Sequence, residues 1–126
     1  MALVRELNFK PGISALLTNL GGRYLSIHNY DSALVYQRQA VKIKKELKDK
    51  LGLGRVYINL ANALIDSNSP YLDSSLYYYQ KGLTIAYEMK DVQLSGLSLY
   101  GKVRANLKRG HLIEAKVVAD KLIEVL

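Results

Sequence analysis

Two stretches of this chain are near copies of each other. Residues 26–49 read SIHNYDSALVYQRQAVKIKKELKD, and residues 73–91 read DSSLYYYQKGLTIAYEMKD. Self-similarity constrains the fold more than any local motif does, because each copy must be one supersecondary unit. In the first copy Ala33, Tyr36, Ala40, Ile43 and Leu47 are spaced as one helical stripe. Ser75, Tyr78, Gly82, Ile85 and Met89 repeat that spacing, and Ala115, Val118, Leu122 and Val125 follow it again.

The segments before these stripes repeat as well. At an offset of 40, Ile13, Leu17, Leu20, Gly21 and Tyr24 correspond to Leu53, Tyr57, Leu60, Ala61 and Leu64. The same offset leads on to Gln93, Leu97, Tyr100, Gly101 and Arg104, where Gln93 and Arg104 spoil the apolar face. The small residue persists as Gly21, Ala61 and Gly101, which lets helix backbones approach closely. Asp31 and Asp73 stand where N-caps belong, and NSP at 68–70 and Gly110 break the chain. Lys48-Asp49 and Lys90-Asp91 close two of the helices. The pattern predicts helices over 11–28, 31–48, 51–67, 72–90, 92–109 and 112–126, paired as A and B helices in repeats 11–48, 51–90 and 92–126. No strand pattern competes. One hairpin cannot bury its stripe alone, so each copy serves as core for the next.

NLGGRYLSIHNYDSALVYQRQAVKI resembles the tetratricopeptide repeat family. Its Leu-Gly, aromatic, Ala, aromatic, Ala pattern falls here on Leu20, Gly21, Tyr24, Ala33 and Ala40, with Gln37 at the second aromatic position. The second copy offers Leu60, Ala61, Leu64, Ser75, Tyr79 and Gly82. The third has Tyr100, Gly101 and Ala115 and departs at Arg104, Ala119 and Leu122; the proline usual after helix B is missing throughout. The resemblance spans about residues 11–126 and implies an all-α, right-handed α-α superhelix of three antiparallel hairpins in a single domain over 1–126. The period of 40–42 is similar to that of longer-looped repeats in bacterial signalling proteins such as sensor kinases and peptide-regulated regulators. HEAT-type repeats, of comparable period, are the alternative fold.

The resemblance also implies that the A helices line a groove where a peptide binds. With Tyr57 on the buried face, Arg55, Asn59, Asn62 and Asp66 form a polar stripe opposite it. The 40-residue offset extends this stripe to Ser95, Leu99, Lys102 and Asn106, and back to Ala15, Asn19, Gly22 and Ser26. Asparagine both donates and accepts, so it suits a peptide main chain, and Arg55 or Lys102 suits a carboxylate. The candidate binding residues are therefore Asn19, Arg55, Asn59, Asn62, Asp66, Lys102 and Asn106. For any one of them the plain alternative is a solvated face. For the stripe, asparagine's poor helix propensity argues for a use.

Chemistry finds no foothold in the sequence, and no enzyme, cofactor or metal site is expected. Absence of cysteine removes thiol catalysis and thiolate ligands. His28 and His111 stand alone, and GLG at 52–54 is too short for a phosphate loop. The net charge of +7 and the run KIKKELKDK at 42–50 suggest a nucleic-acid-associated module as the second reading, but lysines alone give non-specific attraction. A third is an accessory domain of an enzyme whose catalytic part lies elsewhere. Tyr77 is a candidate interface anchor. No apolar run reaches the roughly 20 residues of a membrane span. Leu122, Ile123, Val125 and Leu126 leave the last helix without a polar cap, so a longer array or a homodimer through that helix is expected. The expectation is a non-catalytic protein- or peptide-binding scaffold of a bacterial regulatory or sensor protein, with a cytoplasmic location.

Overall fold

A computed structural model describes residues 9–66 and 72–125, with the backbone alone at Asp66. The break at 68–70, the side chain of Asp66 and Leu126 lie outside the described residues. Six helices account for nearly all of the described chain: α1 (Lys10–Ser26), α2 (Tyr30–Glu46), α3 (Lys50–Asp66), α4 (Leu72–Met89), α5 (Val92–Lys108) and α6 (Leu112–Val125). No strand occurs among the described residues. The expected ends at 67 and 126 lie outside the described residues, and the other helix ends fall within two residues of those expected from periodicity.

Four of the connections are one and the same turn. His28, Lys48, Lys90 and Gly110 take φ of 61°, 56°, 53° and 76°. Each amide bonds a carbonyl three residues back, and the next amide bonds one five residues back, as in Lys90 N–H to Tyr87 O (3.3 Å) and Asp91 N–H to Ala86 O (2.9 Å). This is the left-handed termination that closes a helix on its own last carbonyls. The following residue then begins the next helix. Asn29 accepts from the Ser32 amide (3.3 Å), Asp49 from Gly52 (3.0 Å) and Asp91 from Leu94 (2.8 Å).

These caps correct the assignment made from sequence. Asn29 rather than Asp31 caps α2, and Asp31 lies in its first turn. Asp73 likewise lies inside the first turn of α4, where it pairs with Arg109 at 2.8 Å. A short polar residue anywhere near a helix start looks like a cap; the left-handed residue just before it decides which one is.

Each helix packs on the next, and α3 also touches α5 and, more lightly, α1. This order gives three cores in series. Leu34, Leu60, Ala63 and Leu64 join α2 to α3, with Leu25 and Tyr78 packed against them. Tyr57, Ile58, Ala61, Ile65, Tyr79, Ile85, Ala86, Leu94 and Ala105 join α3, α4 and α5. Leu83, Leu99 and Val118 join α4, α5 and α6. Burying a side chain of this kind stabilises by about 1.5–3 kcal/mol, so α3, closed on most of its circumference, anchors the stack. Equivalent ion pairs tie the ends of the first two hairpins: Lys10 to Glu46 (3.0 Å) and Lys50 to Glu88 (3.2 Å). The second is largely and the first partly exposed, so they contribute little.

The third copy does not keep the 40-residue register. In the first two hairpins the small residue of the A helix faces its own B helix. A Cβ on Gly21 would lie 2.6 Å from Gln37 Nε2 of α2, and the Ala61 carbonyl accepts from Ser75 Oγ of α4 at 2.9 Å. Gly101 instead faces back, onto the Tyr79 ring of α4. Leu94, Ser98, Gly101 and Ala105 form the buried seam toward α4, which matches Leu53, Tyr57, Leu60 and Leu64 at an offset of 41. The caps Asp49 and Asp91 are 42 apart. The seam offset of 41, one more than 40, corresponds to a rotation of about 100°. Gln93, Leu97 and Tyr100 therefore turn outward, and Arg104 lies only half-buried beside them, rather than spoiling a buried face.

Candidate functional site

The rotation of α5 splits the predicted polar stripe. Arg55 and Asn59 of α3 do come together, Arg55 exposed and Asn59 half-buried. With Ile58 they meet the start of α5, and Asp91, Gln93, Leu94 and Leu97 complete a groove of about 230 Å³. Its floor is apolar, from Ile58 and Leu94, and its rim carries the guanidinium of Arg55 and the carboxamides of Asn59 and Gln93. The Asp91 carboxylate is occupied by the Leu94 amide. One turn further along α5, Tyr100 is exposed and carries the Arg104 guanidinium over its ring at 5.7 Å.

Asn62 does not line this groove and has a structural task instead. Its carboxamide oxygen accepts the hydroxyl of Tyr79, whose ring is fully buried. A buried tyrosine hydroxyl needs such a partner, so the bond orients both residues. Asn19 is exposed on α1 and does not line the groove. The Asp66 side chain lies outside the described residues.

Lys102 and Asn106, expected on the same stripe, point elsewhere. Because α5 is turned, they face the cleft between α4 and α6. Lys102 Nζ donates to Gln80 Oε1 at 2.7 Å, and Asn106 Nδ2 donates to the Lys102 carbonyl at 3.0 Å. Burial pulls the Lys102 ammonium below its usual range, and repulsion from Lys121 adds to this. The sequence reading missed Gln93, Leu97 and Tyr100 as surface groups of the α3–α5 groove. The signal for them was present: the two Lys-Asp pairs are spaced by 42, two more than the offset used for the A helices.

The lysine run is partly neutralised within the fold. Lys44 binds Asp49 at 3.1 Å, and Lys50 binds Glu88. The Asp49 carboxyl is held below its ordinary value of 3.8, first by the Gly52 amide and then by Lys44. His28 Nδ1 lies 2.9 Å from the Tyr30 hydroxyl, and His111 sits at the start of α6. Among the described residues no group of three or more His, Asp or Glu gathers as metal ligands do, and no helix is long and apolar enough to cross a membrane. No protein-family model matches the sequence, and no curated protein matches it.

Proposed function

We propose that the chain is a tetratricopeptide-like solenoid of three hairpins that binds a protein or peptide and carries out no chemistry. Its setting is a larger bacterial regulatory or sensor protein, an inference that rests on the family resemblance. Two features support the solenoid: one turn used four times, and helices that pack in chain order with α3 touching α1 and α5. The observation that carries the binding reading is the α3–α5 groove. It offers an apolar floor for a side chain, carboxamides for a main chain, and Arg55 for a carboxylate. Hydrogen bonds from such groups discriminate partners because an unpaired donor in a covered groove is costly.

The test is a peptide-array selection followed by titration of the best binder. Arg55→Ala with Asn59→Ala is expected to weaken binding by about ten-fold or more, with little response to moderate salt. Lys102→Ala, facing another cleft, leaves this affinity unchanged. Loss of binding on raising salt, with dependence on Lys42, Lys45 and Lys48 and none on Arg55 or Asn59, would instead favour the nucleic-acid reading.

A further inference from the structure

The cleft into which Lys102 turns is larger and more apolar than the groove just described. It is an open surface cleft of about 570 Å³ between α4, α5 and α6. Leu76 and Tyr77 form one wall, and Ile113, Val117 and Val118 the other. Tyr77, Ile113 and Val117 are 56%, 78% and 52% exposed, so their apolar surface faces water across the cleft. Its polar lining is Asn106, which is buried, Lys102, which is half-buried, and the exposed Gln80, Asp73 and Glu114. Asp73 is engaged by Arg109 at 2.8 Å. Apolar walls, a few convergent polar groups and this volume are the attributes of a small-molecule site.

With Asp73 held by Arg109, the remaining charges of the lining are the Lys102 ammonium and the exposed Glu114 carboxylate. Lys102 is partly withdrawn from water, and its hydrogen-bond partner is the neutral carboxamide of Gln80. The charge that acts on it most is another cation, Lys121. Among the described residues no carboxylate pairs with this partly buried ammonium, which suits it to an arriving anion. We propose that this cleft is a second binding site, for an apolar monocarboxylate of the medium-chain alkanoate type, its chain between Tyr77 and Ile113/Val117 and its head on Lys102. The site is separate from the peptide groove and does not depend on it.

Octanoate, below its micellar concentration, and octanol are the probes. Titrated into the full chain, octanoate is expected to shift the methyl resonances of Ile113, Val117 and Val118, with octanol about ten-fold weaker or worse. Lys102→Met brings octanoate down to the octanol level and leaves octanol unchanged. Val117→Glu, at a half-exposed position that tolerates a charge, removes both. Arg55→Ala changes neither, which separates this site from the peptide groove. No methyl shifts at millimolar octanoate, equal binding of the alcohol, or an unchanged Lys102→Met affinity would each overturn the assignment.

Discussion

Replacing Gly101 by alanine tests the most sensitive contact in the stack. A Cβ there would sit 2.5 Å from Tyr79 Cδ1, and closer still to Cε1 and Cζ. Carbon atoms rest at about 3.5–4.0 Å, so the ring must move by at least about 1 Å. It has nowhere to go, because Tyr79 is fully buried and its hydroxyl is tied to Asn62. Overpacking of this kind costs about 1–3 kcal/mol, and disturbing the hydrogen bond adds about 1 kcal/mol. The better helix propensity of alanine returns about 1 kcal/mol. The net expectation is a loss of about 1–3 kcal/mol. Gly22 and Gly96 supply the control, since nothing lies within 4 Å of a Cβ at either. Alanine there is expected to stabilise by about 0.5–1 kcal/mol. Urea unfolding followed by far-UV circular dichroism reads all three. If Gly101→Ala proves as stable as the parent, α5 does not lie on α4 as described.

Gln37 is fully buried, and its Nε2 and Oε1 have no partner among the described residues. Gln37→Met keeps the shape and removes both orphaned atoms, so chemical unfolding is expected to show a gain of about 1 kcal/mol or more. Lys90 holds a left-handed φ of 53°, which disfavours side chains. Lys90→Gly is expected to raise stability by about 0.5–1 kcal/mol, whereas Gly110→Ala, at φ 76°, lowers it by about 1 kcal/mol, both read by thermal melts. Asp49, its carboxyl held below 3.8, contributes stability that is complete above that value and fades as pH falls below it. Asp49→Asn retains the cap on Gly52 and is expected to flatten that part of the stability–pH curve.

Much of the fold was legible because periodicity reports burial directly. Of the B-helix stripes, Ala33, Ala40 and Ile43 of α2 and Ser75, Gly82 and Ile85 of α4 are buried, Tyr36, Leu47 and Tyr78 are half-buried, and Met89 is exposed where its helix ends. Tyr79 proved deeper than its neighbour Tyr78, since the stripe spacing allows either residue to lead and the approach of Gly101 favours one. The rotation of α5 was less legible. Its apolar residues Leu94, Leu97, Leu99 and Tyr100 surround the helix, so no single stripe fixes which face turns inward. Small residues decided the matter: Ser98, Gly101 and Ala105 admit α4 at close range, as Leu97 and Tyr100 would not. The candidate site inherited that error. Arg55 and Asn59 share one helix, so their common face followed from spacing alone, whereas grouping them with Lys102 and Asn106 required the rotation of α5.

The direction in which Gly101 faces is what the series of hairpins, the α3–α5 groove and the Lys102 cleft all share. Nuclear Overhauser contacts from the Gly101 α-protons measure it directly. The account predicts strong contacts to the Tyr79 ring protons. Contacts to Ala115 of α6 instead, as a strict 40-residue register requires, would contradict it.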